Sequence, residues 1–579
     1  MGIVSQFSQT QTDTSSEMNT TIPSAAVDPR PSVSMFLIRE AFHSVFGGLV
    51  ALVAVFLLSV YTKPSSRRIL PPGPKGVPFF GNLFQLMATP QPWKTFADWG
   101  KQYGPLVHLN IAGKNMIIMN THKVAADLLD RRATIYSSRP NLIVASEMLT
   151  GGMLLAFQGY TDLWRRMRRA AHEGLNSNAA KNYHAAQEKE AILLVQGVLK
   201  DSNNWDDEVK RSTASMILGA IYDIPTVESC HDPQVAYVNN FVNRFVGAAS
   251  PKAHYVEYFT WMKYIPSSMA KWKREALEWY KRDSEYLGKM YGAVKGRLRN
   301  GEESTSFAAS LIRDDKHLGL SDLESSWLAA TIYAAGSETS STVMAWFILA
   351  MIAYPEVQKK AQEELDAVVG RDRMPTFADR DSLPYINACV REALRWRALT
   401  PMGAPHETVE DDWYEGYFIP KGTVCFANQW AMNRDTDVYG ADSDEFRPER
   451  HLDQDGQVAC PYPDTHDEGS LTLPRQLWFW SEVCLDRTGS YCSIMTYISR
   501  ICVGRHVATN GLFINIASLL WAATVAPVTD HEGRPQIPDT FDHINNGLVL
   551  RPIPFKCNVK SRFKGAEAIV SQTRESFHS

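Results

Sequence analysis

The alternation of apolar and polar positions changes character several times along this chain. Residues 1–34 are rich in Ser, Thr and Gln, carry little apolar content, and read as disordered. An uncharged apolar run, "VFGGLVALVAVFLLSVY" (Val45–Tyr61), comes close to the length that spans a bilayer, and predicts an anchor over 35–61. Next, "LPPGPKGVPFFGN" is dense in proline and predicts an extended, stiff linker over 62–78. "GPLVHLNIAGKNMIIMN" sets two apolar runs on either side of Ala112-Gly113, a β-hairpin pattern. From Thr121 to about Leu399 apolar positions recur mainly with helical period. Within that region an apolar helix is predicted from about Asp322 to Ala353, followed by "YPEVQKKAQEELDAVVG", with Pro355 in its first turn and Gly370 as its stop. "YEGYFIPKGTVCFAN" (Tyr414–Asn428) returns to a strand pattern, and "CVGRHVATNGLFINIASLLWAATV" predicts a long helix followed by short strands. The whole reads as a mainly α protein with small β-sheets. One body covers 79–562, with a flexible tail over 563–579.

At 579 residues and 45% hydrophobic content the chain can bury a large core. Its net charge of −4 gives no basic field for a nucleic-acid partner. Eight irregularly spaced cysteines make no disulfide framework in a chain this long and suit a reducing compartment. Lys63, Arg67, Arg68 and Lys75 follow the apolar run closely, so the positive-inside bias puts the body in the cytosol behind a single-pass anchor. Residues 1–34 are then lumenal, with Asn19-Thr20-Thr21 as a glycosylation acceptor pattern.

Four local patterns carry possible chemistry, each with a bland alternative. In "AAGSETSS", Gly336 costs a helix roughly 1 kcal/mol against Ala, which raises the question of a flat group approaching the backbone. Thr339 can bond a carbonyl one turn back and locally open the helix, and Glu338 is a possible proton relay; a tolerated core glycine is the plainer account. "REALRW" places Glu392 and Arg395 on one helix face, where chance pairs are common. "FRPERHL" offers Arg450, which could close a buried Glu–Arg–Arg network or lie in an ordinary charged turn. "DLWRRMRRAAH" sets Trp164 and Arg168 one turn apart, a pair suited to a carboxylate ligand or to a basic solvated face.

The order of these patterns, ending in Cys502 of "RICVGRH", resembles that of the cytochrome P-450 superfamily, the haem-thiolate monooxygenases. The resemblance runs from the proline-rich linker to about residue 560. It is similar above all to membrane-bound fungal members of secondary metabolism, of the O-methylsterigmatocystin oxidoreductase type, through "LPYINACVREALRWRALTPMGAPH" and "GYFIPKGTVCFANQWAMNRD". It implies a single haem domain, 79–562, in which Trp164, Arg168 and Arg500 bind propionates of haem b, with His406 a further candidate. Ala335, Gly336, Glu338 and Thr339 would form the oxygen-binding groove, with Thr339 assisting proton delivery. Glu392, Arg395 and Arg450 would lock the core, Cys502 would be the axial iron ligand with Gly504 in its loop, and Thr400–Pro405 would face substrate. A thiolate ligand favours O–O cleavage. The implied partners are the membrane of the endoplasmic reticulum, a hydrophobic small molecule, and a separate NADPH-cytochrome reductase supplying electrons. "EYFTWMKYIPSSMAKWKREALEWY" would be a second membrane contact, a lid over the substrate channel.

The ligand loop departs from the family pattern F-x-x-G-x-R-x-C-x-G. Met495 stands at the Phe position and Ile498 at the Gly position. Deleting Val483–Ile498 would bring Phe479 into register, although Glu482 would still hold the Gly position. The segment "VCLDRTGSYCSIMTYI" therefore reads as translated non-coding sequence or, alternatively, as an insertion that leaves a haem-deficient relic acting at most as a membrane-bound binding protein. Cys484, Cys492, Cys502 and His506 lack the paired spacing of a zinc site.

Overall fold

A computed structural model describes residues 47–48, 68–250, 253–459, 502–545, 547 and 549–577. Residues 1–68 and 69–579 form separate units, and all that follows concerns the second. The anchor run apart from Gly47-Gly48, Asn19, Arg500, Met495, Ile498, Phe479 and the Val483–Ile498 segment lie outside the described residues. Among the described residues no single helix is long and apolar enough to cross a membrane.

The hairpin forms where the pattern put it. Leu106–Ile111 pairs antiparallel with Lys114–Met119 across Ala112 (φ 49°) and Gly113 (φ 92°), the positive-φ pair that a two-residue hairpin turn requires. Val424–Ala427 adds in parallel beside Lys114–Met119, and His406–Glu407 closes the edge antiparallel to it. A second sheet pairs Ala523–Thr529 with Cys557–Ser561 and Pro535–Gln536. Everything else of size is helical, so the mainly α reading with small sheets holds.

Two largely buried helices form the centre. Asp322–Ala353 starts at a capping box, in which Ser321 accepts the Glu324 N–H and Glu324 reaches back to the Ser321 N–H. Arg505–Ala522 is buried along nearly its whole length, its apolar residues spread round all faces. Large aromatics fill the space between helices, and their indole donors are spent on carbonyls: Trp346 on Leu550, Trp396 on Asp444 and Trp521 on Gly370.

Both predicted edges of the body need correction. Residues 69–78, expected as part of an extended, stiff linker outside the body, are held against its sheets, because proline-rich chain lacks donors yet keeps its carbonyls. Ile69 accepts the Phe418 N–H at 2.7 Å, and Pro72 accepts the His108 N–H at 2.9 Å. Nor is 563–579 a flexible tail: Ala566–Ser576 is a helix whose Val570 enters the main core, with Phe563 and Ile569 packed against it. Its apolar residues recur every three to four positions and need a partner surface, which the His184–Lys200 helix supplies.

Candidate active site

The long Asp322–Ala353 helix contributes an unexpected open face. From Thr342 to Ile352 it is wholly buried, yet Ala335 is exposed and Gly336, Glu338 and Thr339 are half-buried. The Thr339 hydroxyl donates to Ala335 O at 2.7 Å, which leaves its lone pairs for another donor. The helix does not open at this bond, contrary to expectation. A carbonyl has two lone pairs, so Ala335 O takes the hydroxyl without giving up its place in the helix. Gly336 also faces a neighbour within the chain. A Cβ there would lie 3.0 Å from Cδ1 and 3.2 Å from Cγ1 of Ile217, so the glycine lets the Trp205–Tyr222 helix approach closely.

A second helix, Asp162–Leu175, is started by Thr161, whose hydroxyl accepts the Trp164 N–H at 3.1 Å. This places buried Trp164 and half-buried Arg168 one turn apart, as the spacing predicted. Burial pushes the Arg168 guanidinium down to about 10, while the Cys502 thiol favours its charge and Arg505 opposes it. Arg168 and Cys502 are therefore electrostatic neighbours, although far apart in sequence.

Cys502 lies just before the Arg505–Ala522 helix, whose N-cap is Gly504. Burial pushes its thiol up; the backbone N–H groups of Gly504 and Arg505 and the guanidiniums of Arg168 and Arg505 pull it down. Peptide N–H groups aimed at a sulfur from a helix N-terminus stabilise a thiolate and tune it as a ligand. Gly504 has an ordinary φ of −83°, and a Cβ built there would meet nothing within 4 Å. Its use lies in its N–H and in the room beside the sulfur.

The stretch Thr400–His406 is the other segment expected at the site. His406 is buried, and its Nδ1–H donates to Tyr136 O at 2.8 Å. Because a carbonyl only accepts, a proton sits on Nδ1. Arg139 lies beside it, and sequence reading missed it. Its Nη1 donates to Ala404 O at 2.7 Å and Pro405 O at 2.5 Å. Its Nε is buried with no partner, burial alone pushes it down to about 9, and no acid among the described residues pairs with it. A buried cation with an unspent donor calls for an anion. "YSSRPN" carries no spacing or charge pattern that could have revealed this.

Glu392 gathers the predicted network. Arg395 grips it in bidentate fashion at 2.6 and 2.7 Å, and Arg450 Nε reaches Oε1 at 3.2 Å. His451, also missed, binds Oε2 at 2.8 Å, and the Arg447 N–H adds a bond at 2.9 Å. Against the cost of burial, Arg395 and His451 hold the Glu392 carboxyl far below the usual range.

Comparison with known proteins assigns the family. The cytochrome P450 family model matches residues 71–471, which ends ahead of the Cys502 loop. A cytochrome P450 monooxygenase of Armillaria gallica is 50% identical over 527 residues, covering 91% of this chain and 96% of its own. The monooxygenase iboC of Amanita muscaria is 40% identical over 90% of this chain and 97% of its own. A zebrafish cytochrome P450 structure with abiraterone shares the fold at a TM-score of 0.62 and 21% identity, over 82% of this chain and 100% of that one. The chain belongs to the cytochrome P450 family and is an enzyme of its monooxygenase type. The family implies a haem, and the residues fit one. Arg139 lacks an anion, Cys502 is offered peptide donors, and Ala335 and Gly504 leave room.

Proposed function

We propose that the chain is a membrane-anchored haem-thiolate monooxygenase that inserts one oxygen atom from O2 into a hydrophobic small molecule of fungal secondary metabolism. Electrons come from NADPH through a separate reductase, and the body sits on the cytosolic side of the endoplasmic reticulum. The observation that carries the reading is the meeting of the Cys502 thiol with the Gly504 and Arg505 N–H groups and Arg168. In this reading Cys502 would hold the haem iron through its sulfur, and Arg139 and Arg168, with Trp164 and Arg500, would hold the propionates. The bound haem supplies oxygen activation, which a thiolate ligand promotes. Thr339 holds its hydroxyl proton on Ala335 O and keeps its oxygen ready to accept a second. Glu338, half-buried one residue away, is placed to pass protons inward from solvent. Thr400–Pro405, between the Glu392 helix and His406, faces the substrate.

Two features support the membrane setting. The positive residues after Val45–Tyr61 favour a cytosolic body. Tyr255, Phe259, Trp261, Tyr264 and Met269 are all exposed, the composition of an interfacial contact. Organisms of the relatives, Armillaria, Postia and Amanita, support fungal metabolism.

The test is the carbon monoxide difference spectrum of the reduced protein, as given and without residues 483–498. A thiolate-type Soret band from the full chain would establish Cys502 as the ligand with the insertion tolerated. A band from the shortened form alone would assign the insertion as the fault. No band from either overturns the reading and favours a haem-free binding protein.

A further inference from the structure

A second set of metal-type donors lies outside this site. Asp207 is in the first turn of the Trp205–Tyr222 helix, and Cys230 and His231 precede the Pro233–Ala249 helix. One ligand atom from each, a carboxylate oxygen, a thiol sulfur and a ring nitrogen, lie within 4.8 Å of one another. The Cys230 thiol and the Asp207 carboxylate are already hydrogen-bonded.

The surrounding chain fixes these positions. The Val227 N–H donates to Ser215 Oγ at 2.9 Å, tying the loop back to the helix that carries Asp207. The His231 N–H donates to Ser229 Oγ at 3.1 Å, and Asp232 caps the next helix by accepting the Gln234 N–H at 2.8 Å. Cys230 and His231 are thus held between two helices, the kind of rigid support a ligand set needs. Lys210 is the competing cation. It lies 3.7 Å from Asp207 but 2.8 Å from Asp206, so its charge is directed chiefly to the neighbouring acid.

We propose that Asp207, Cys230 and His231 form an accessory zinc(II) site, open at the fourth position to solvent. The donor chemistry selects the metal: thiolate, imidazole and carboxylate together suit zinc, whereas magnesium and calcium take oxygen ligands. His231 is exposed and Cys230 partly so, which gives the ion an entry path. Binding exchanges the Cys230 S–H bond to Asp207 for a sulfur–zinc bond and releases the thiol proton to solvent.

Alkylation of the full chain with iodoacetamide, read peptide by peptide by mass spectrometry, separates Cys230 from Cys502 and the other cysteines. Zinc(II) in the micromolar range should slow labelling of Cys230, and magnesium should not. Asp207→Asn and His231→Ala should each raise the zinc concentration needed for protection on the order of 10- to 100-fold or more, at least what loss of a supporting group costs. Lys210→Ala should lower it. Equal labelling of Cys230 with and without zinc overturns the site. So does protection that survives both ligand substitutions, since the thiolate alone would then account for it.

Discussion

Glu392 and Arg139 are both buried charged side chains, and the fold treats them in opposite ways. Around Glu392 the chain supplies Arg395, Arg450, His451 and the Arg447 N–H, so each carboxylate oxygen has partners drawn from the polypeptide. Arg139 has two carbonyls for one nitrogen and, among the described residues, a buried Nε with no partner and no acid. The first is complete by itself and holds the helix Pro384–Trp396 to the Pro448–His451 turn. The second has no counter-charge among the described residues, and in the proposed reading a haem propionate would supply it. Internal satisfaction of buried charge thus separates a structural network from a ligand site, within one fold and without reference to motif.

The largest effect should follow from Glu392→Gln, which leaves two guanidiniums buried without their counter-charge. Loss of about 3–5 kcal/mol is expected, read as a collapse of the denaturant midpoint. A loss below about 1 kcal/mol would break the contrast, because such a value belongs to an exposed pair. Arg139→Met should show the opposite signature. Removing an unpaired buried charge should leave the apoprotein as stable or more so, while haem transfer to an acceptor protein speeds up on the order of 10-fold or more. Lost stability with unchanged haem retention would move Arg139 into the structural class.

Thr339→Ala touches neither region and should alter coupling alone: NADPH consumption continues while product per NADPH falls, measured by parallel assays of both. Unchanged coupling would remove Thr339 from proton delivery. His506 tests burial beside cations by pH. Burial, with Arg505, His172 and Arg380 nearby, holds its ring down at about 4, against ~6.5 for a free histidine. Between those values the unfolded chain binds a proton that the folded chain refuses, so stability falls as pH drops through the window and levels off below it. His506→Gln should flatten this acid limb between pH 6.5 and about 4 in denaturant midpoints; an unchanged slope would assign it to other groups. Smallest is Gly336→Ala. A helix gain of roughly 1 kcal/mol is offset by crowding of Ile217, leaving stability within ~1 kcal/mol of the parent. A large loss would mean that the backbone of the Trp205–Tyr222 helix, not only the end of Ile217, has to give.

Much of the fold was legible because local rules governed it. The Ala112-Gly113 turn, the Pro355 start and the Gly370 stop each follow from backbone geometry that few residues can adopt. The Trp164/Arg168 and Glu392/Arg395 pairs were legible for the same reason, since helical spacing alone puts them on one face. The linker and tail were misjudged because both pack through surfaces that come from elsewhere in the chain. His451 and Arg139 were missed because nothing in their neighbours marks them. Each owes its role to a residue roughly sixty to several hundred positions away.

The sequence alone determined the element types, the spacing of side chains on each helix face and the residue types available for ligation, since these rest on interactions a few residues apart. Only the tertiary structure decided which buried charges find partners inside the chain, which side chain Gly336 packs against and where the tail belongs. Those depend on desolvation and on contacts between distant segments, and local pattern does not encode them.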